Sequence, residues 1–397
     1  MNVKQDKNIL IFYIFAILTY SGQGIMGLFG QIQYYFLREV SGLTLTKVSL
    51  VSFLIGLPWV LKMFMSLLLD YFPIKGYRTK YYLWMNCVGL VLTYSAMMIF
   101  GIHIWTYLLF GFLINFFIAL QDICCDTTMV VYERKYKLAG KGVSIQWIAL
   151  AAVGLFTSLM GAKLAESMNY ILAYGICLIF PIVFMIYLKF LHKEDKYKKK
   201  KFSFKGLSKH FKNKGFLMGL LFIACLQLSP SFGLGLMAEM REHMEVSKMF
   251  VGILGSVGTV FGLAGYVLFF KWGSKFALKK MLIYSIIFSA ITNLCYLYIP
   301  TQWHIMIYSI IFGAFSGVSF MAIMTFMTRI IPKGNEGTMY ACVAAISNFC
   351  ARGSGIVSGA IYDNWGYSVN VIISSVLTLC CLIIIPYLKL ENKNVKT

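Results

Sequence analysis

Four ionisable side chains, Lys62, Asp122, Asp126 and Arg352, fall inside stretches of sequence that are otherwise apolar. A charge at the centre of a bilayer costs about 2.5–3.5 kcal/mol on insertion scales, so those retained there usually face water, a solute or one another. Asp122 and Asp126 are one turn apart on one helical face, and two carboxylates that close in a low dielectric resist simultaneous ionisation. That pattern suits a proton-coupling or cation-binding site. A fixed ion pair with Lys62 or with helix-end donors is the competing reading, and it weighs more on Asp126, the nearer to a helix boundary. Lys62 follows Leu57-Pro58-Trp59-Val60-Leu61 and either turns inward or runs its long stem to the interface. Arg352 is about 24 Å of helical rise beyond Glu336, too deep for an interfacial anchor. It suits an anion, against a lock on a carboxylate or carbonyl.

Polar groups that could support such a site are Gln23, Gln31, Gln33, Gln121, Gln146, Gln227, Ser229 and Asn348, which precedes Arg352 by one turn. Each taken alone is more often interhelical glue than a ligand. The chain has no GxxxxGK[ST], HExxH or GxSxG pattern, and His103, His192, His210, His243 and His304 are scattered. That excludes the common catalytic motifs and points away from an enzyme. Its 10 cysteines lie mostly in apolar runs without CxxC spacing, so neither a disulfide framework, a metal site nor a cofactor is expected.

The elements that must position these groups are set by composition. Of 397 residues 59% are hydrophobic and 13% charged, and the mean hydropathy is +0.75, which makes lipid the main solvent. In lipid a helix satisfies its own backbone, so an all-α membrane protein is expected. Twelve windows near the roughly 20 residues needed to cross fall at 9–29, 47–69, 81–101, 105–131, 141–162, 168–189, 215–237, 248–271, 277–299, 302–330, 337–360 and 367–388. The first passes through Tyr20-Ser21-Gly22-Gln23 into more apolar sequence without a small-residue cleavage site, and reads as a helix rather than a signal peptide.

A net charge of +21 would suggest nucleic acid in a soluble protein, but here the basic residues alternate between loops. Lys75, Arg78, Lys80, Arg134, Lys135, Lys271, Lys275 and Arg329 fall in alternate loops; the intervening ones receive few, such as Arg38 and Lys163. This positive-inside pattern predicts both termini on the cytoplasmic side and no nucleic-acid partner. The basic stretch 192–214, with Lys198 to Lys201 in a row, divides an N-terminal six-helix bundle, 1–191, from a C-terminal one, 215–397. The halves echo each other, as in Gly161-Ala162 and Gly359-Ala360, which suggests two pseudo-symmetric bundles. In the eighth window Gly252, Gly255, Gly258, Gly262 and Gly265 would let backbones approach closely.

Leu57-Pro58-Trp59-Val60-Leu61-Lys62 and the string Asp70-Tyr71-Phe72-Pro73-Ile74-Lys75-Gly76-Tyr77-Arg78 resemble the loop signature of the major facilitator superfamily, in its folate-biopterin transporter branch. The resemblance continues in Gln23-Gly24, in Asp122 and Asp126, and in Glu336-Gly337-Thr338-Met339-Tyr340-Ala341, with Thr79 standing where the family commonly has a basic residue. Pro58-Trp59 with Lys62, and Gln121-Asp122-Ile123, are also similar to the related muropeptide permeases. What the resemblance implies is an alternating-access secondary transporter with spans 1, 4, 7 and 10 around a cavity. The paired acids add an expectation of proton coupling, a monomer is expected, and with no organelle targeting visible the default is a plasma or inner membrane. The transporter's solute would be an organic anion of pterin or folate type, with Lys62 and Arg352 attracting carboxylate and Asp122 carrying a proton or bonding a heterocycle. Gln23, Gln121 and Asn348 would assist; Asp70, Gly76, Arg78, Glu336 and Gly337 would gate, Asp70 either meeting the start of span 11 or capping its own loop with Arg78. A permease for cell-wall sugar peptides and a non-transporting solute sensor are the alternatives.

Overall fold

Backbone amides that lipid cannot solvate must bond to one another, and the chain answers with helices throughout. The computed structural model describes residues 3–136, 141–197, 211–229, 231–331 and 336–388, and among them the only β pairing is an isolated bridge between Ile74 and Tyr77. The helices, in order, are α1 (Val3–Tyr35, running on through a π turn at Phe36–Val40), α2 (Leu45–Ile55), α3 (Leu57–Val60), α4 (Lys62–Tyr71), α5 (Lys80–Phe100), α6 (Ile104–Tyr136), α7 (Lys141–Glu166) and α8 (Tyr170–Phe190). There follow α9 (Lys214–Leu228), α10 (Gly233–Ala238), α11 (Lys248–Trp272), α12 (Leu278–Cys295), α13 (Gln302–Arg329) and α14 (Glu336–Cys380). Ten stretches are long and apolar enough to cross a membrane. The interrupted run α2–α4 supplies another span, and α14 supplies two because it turns at Gly366 with φ 80°. Among the described residues this makes the twelve expected.

Two windows are less continuous than their hydropathy suggests. The window 47–69 is three helices, broken at Gly56 and again at Leu61, because Pro58 has no N–H to give and its ring would strike the carbonyl one turn back in an unbroken helix. The window 215–237 stops at Leu228 and resumes at Gly233. The first window, in contrast, is the middle of a longer helix that starts at Val3.

The chain divides into two compact units, Met1–Val40 with Leu54–Phe202, and Ser41–Phe53 with Ser203–Thr397. The first unit is built on Phe12, Phe15, Leu69, Leu83, Ala119, Cys124 and Phe184; the second on Phe216, Phe222, Leu282, Phe326 and Val343. Most of α2 thus packs with the second unit, although its sequence neighbours on both sides pack with the first.

Within each unit small residues bring backbones together. A Cβ at Gly24 on α1 would lie 2.8 Å from the Val153 side chain on α7, and Thr157 donates to the Gly24 carbonyl at 3.2 Å. Between α11 and α13 the approach is closer: a Cβ at Gly265 would sit 2.0 Å from the Ala314 carbonyl oxygen, and one at Gly317 would sit 2.2 Å from that of Gly262. Of the glycine run on α11, Gly258 faces open space. Replacement of Gly317 by leucine therefore forces two backbones apart. Overpacking of this kind typically costs about 1–3 kcal/mol. Gly317→Leu should lower the melting temperature of the detergent-solubilised protein, whereas Gly258→Ala should leave it unchanged or raise it, as read by size-exclusion after heating.

Candidate functional site

The break at Leu61 restarts the helix at Lys62, and the opening residue of α4 faces α6. Lys62 Nζ pairs with Asp122 Oδ2 and lies 4.0 Å from Asp126 Oδ2. From α1, Gln23 Nε2 donates to Asp122 Oδ1 and the Tyr20 hydroxyl donates to Asp126 Oδ1 at 3.2 Å. Tyr20 and Gln23 are three residues apart on α1, just as Asp122 and Asp126 are four apart on α6, so each helix presents one face. The Lys62 side chain is 12% exposed, Asp122 4% and Asp126 29%. Two carboxylates therefore share one ammonium, with Asp122 the more enclosed. Burial makes the pair strongly interdependent, because a lone charge left in the site has lost its water without gaining a partner.

Trp59 completes this constellation. Its ring centroid lies 4.9 Å from Lys62 Nζ, and its Nε1–H donates to Asn115 Oδ1 at 2.8 Å. Asn115 Nδ2 donates in turn to the Gly111 carbonyl at 2.8 Å. Sequence reasoning missed Tyr20 and Asn115 as members of the site. Asn115 was findable, since it precedes Asp122 by seven residues and so lies on the same face two turns earlier. Gln121 is buried, and among the described residues its Nε2 has no hydrogen-bond partner and it takes no part in the Lys62 network. Gln146 donates to Cys125 Sγ at 3.3 Å.

The loop after α4 is a second polar cluster of the first unit. Lys75 and Gly76 both have positive φ, 50° and 80°, and the Ile74 and Tyr77 amides and carbonyls bond reciprocally at 3.0 Å, the geometry of a tight two-residue turn. Asp70 pairs with Arg78, whose guanidinium lies over the Tyr197 ring at 5.1 Å; the Tyr197 amide donates to the Gly76 carbonyl at 2.9 Å. Glu194 accepts from the amides of Arg78, Thr79 and Lys80 at 2.9, 2.9 and 2.7 Å and from the Thr79 hydroxyl at 2.9 Å. It caps α5 from outside the helix, an anion on the positive end of the dipole. His192 Nε2 lies 3.9 Å from Glu194, with its ring against Phe15 and Tyr187. Glu336 opens α14, while the side chains of Glu336 and Gly337 lie outside the described residues.

In the second unit Arg352 and Asn348 stand on α14. Arg352 Nη1 donates to the Ser52 carbonyl at 3.3 Å, and Arg352 forms no ion pair among the described residues. Phe349 meets Phe53 edge-on at 5.8 Å, and a Cβ at Gly359 would fall 2.7 Å from the Leu45 and Thr46 backbone. Asp363 accepts from the Leu45 amide at 3.1 Å, the Thr46 amide at 2.9 Å and the Thr46 hydroxyl at 2.6 Å. Positions 349, 352, 359 and 363 form one stripe, with an anion at the amino end of α2 and a cation at its carbonyl end, each where the helix dipole favours it. Farther along, Gln227 donates to Ser347 at 2.7 Å and Ser229 to the Ser374 carbonyl at 3.0 Å.

A family model described as the BT1 family matches residues 23–390. The folate-biopterin transporter of Synechocystis sp. is 25% identical over 378 residues, 89% of this chain and 75% of that protein. Folate transporter 1 of Plasmodium falciparum is 25% identical over 382 residues, 88% of this chain and 72% of that protein. Among solved structures, the nucleoside transporter NupG superposes with a TM-score of 0.70 at 14% identity, covering 98% of this chain and 100% of that one. A D-xylose-proton symporter gives 0.71 at 12% identity, covering 95% and 97%.

Two outcomes follow from the site geometry. Lys62→Met strands a buried carboxylate, a change that typically costs about 3–5 kcal/mol, and the double variant with Asp122→Asn should recover most of the lost thermal stability. The second concerns Glu194. Burial alone would raise its carboxyl, but the bonds from His192, Lys80 and Thr79 outweigh burial and hold it below the usual range. Its stabilisation is therefore complete above the ordinary glutamate value of about 4.3 and is lost as pH falls through the lowered folded-state value. Thermal unfolding across an acid series should show that loss in the native protein and a flatter limb in Glu194→Gln.

Proposed function

Because the chain belongs to the BT1 family and is a multi-pass membrane transporter with the major facilitator fold, we propose that it moves a pterin- or folate-type organic anion by alternating access, coupled to protons. The observation that carries this reading is the enclosed trio of Lys62, Asp122 and Asp126, one cation shared by two acids. Such a trio has one negative charge in excess when both acids are ionised, and a proton neutralises it. A solute carboxylate can replace Asp122 on Lys62 while Asp122 takes the proton or the N–H edge of a heterocycle, so no ion is left bare at depth. Exchange of partners, rather than creation of new charge, keeps the barrier low.

Arg352 is a second candidate for binding a carboxylate: its planar guanidinium suits one, and its bond to the Ser52 carbonyl, the one it makes among the described residues, is weaker than the paired bonds a carboxylate would supply. The basic loops favour both termini on the cytoplasmic side, with residues 1–191 and 215–397 as two six-helix halves joined through 192–214. The names of the relatives, a folate-biopterin transporter and a folate transporter, support the solute class.

Uptake of labelled folate into proteoliposomes tests this reading. An inward proton gradient should stimulate uptake, a protonophore should remove the stimulation, and unlabelled pterin should compete while a cell-wall sugar peptide does not. Asp122→Asn should lower uptake by about tenfold or more, a difference of about 1.4 kcal/mol. Uptake indifferent to both the gradient and Asp122 would overturn the proposal.

A further inference from the structure

Lys62 has a second partner whose place in the site is not explained by ion pairing. The ammonium that meets Asp122 also lies 4.9 Å from the centroid of the Trp59 ring, inside the roughly 6 Å reach of a cation–π attraction. The ring cannot turn freely, because its only polar atom donates to Asn115 Oδ1 at 2.8 Å. Asn115 is itself buried and oriented: its Nδ2 is committed to the Gly111 carbonyl, which leaves the oxygen for the indole. Hydrogen bonds thus fix an aromatic face against Lys62 from the helix that also carries Asp122. Among the described residues, ionisable groups facing the ammonium include Asp122 and Asp126 on α6, with Tyr20 of α1 bonded to Asp126.

We propose that Trp59, held by Asn115, is a positioning residue for Lys62 that keeps the ammonium in place while Asp122 is occupied by a solute group or a proton. The proposal rests on the reading of the Lys62–Asp122 pair as the solute and proton site. When Asp122 is neutralised, the ammonium loses its nearest anion and keeps Asp126 at 4.0 Å. At that depth a cation whose nearest anion is neutralised is held less firmly in place. The Trp59 face replaces part of the lost attraction without adding a charge, so the cation stays where the next carboxylate must find it. Sequence order serves this arrangement, since residues 59 and 62 are three positions apart across the break at Leu61.

The test is a double-mutant cycle on the ligand-free protein, followed by transport. Asp122→Asn mimics the neutralised acid. In the native background the change should lower the melting temperature modestly, and with Trp59→Leu the further drop should exceed additivity by about 2 °C or more. Trp59→Phe keeps a ring but loses the N–H that Asn115 holds, so it should retain part of the coupling, and Asn115→Ala should weaken it in the same way. In proteoliposomes Trp59→Leu should lower turnover by about fivefold, change KM less than threefold and shift the pH profile of uptake, with Trp59→Phe and Asn115→Ala both intermediate. Additive melting temperatures would overturn the positioning role even if folate uptake is robust. Non-additive temperatures in a protein that takes up no folate or pterin would sink the functional reading and leave the Trp59–Lys62 coupling standing. A rise in KM alone, with the pH profile unmoved, would mean that Trp59 touches the solute and does not position Lys62.

Discussion

An ammonium held away from water must always have somewhere to go, and the N-terminal unit is arranged around that constraint. Lys62 has Asp122 as its close partner, Asp126 at 4.0 Å and the Trp59 face at 4.9 Å. Each partner is fixed by another element: Asp122 by Gln23, Asp126 by Tyr20, Trp59 by Asn115. Strong interaction at low dielectric makes such a cluster rigid when complete and costly when one member is removed. A carrier can exploit both properties, since partners can be exchanged as long as the charge count is kept.

The same economy governs the ends of helices, where unpaired amides and carbonyls need partners that lipid does not offer. In the first unit Glu194 supplies an anion to the start of α5. In the second, Asp363 does so for α2, and Arg352 takes a carbonyl near its other end. The capping residues are remote in sequence from the helices they cap, so each cap ties two distant segments together as well as completing a helix. The span interrupted at Gly56 and Leu61 has its residues up to Phe53 in the second packing unit and those from Leu54 in the first.

Much of the architecture was legible because lipid imposes one secondary structure and a known length. The twelve windows correspond to helices in the described residues, and the signature around Asp70-Tyr71-Phe72-Pro73 pointed to the family that the match over 23–390 establishes. The breaks in the second window were encoded by Gly56 and Pro58, yet hydropathy averages over them because both lie among apolar neighbours. Lys62 and Asp122 stood out as charges in apolar runs, and their pairing follows from the cost of leaving either alone. Trp59 stood out only as part of a signature, and Tyr20 and Asn115 did not stand out at all, because tyrosine and asparagine are ordinary residues of membrane helices. Spacing from Asp122 could have found Asn115, but only the folded geometry selects Tyr20. Glu194 was hidden for a different reason: it lies in a polar, lysine-rich connector where a carboxylate reads as solvated, and its role comes from the amides it meets rather than from its own surroundings in sequence.

The central claim is that Asp122 changes partner when solute binds. Infrared difference spectra of the reconstituted protein with and without folate, recorded for the native chain, Asp122→Asn and the exposed control Asp195→Asn, address it directly. The account predicts a solute-induced change in the carboxyl stretching region that is kept in the control and lost in Asp122→Asn. Identical difference bands in the native protein and Asp122→Asn would contradict it.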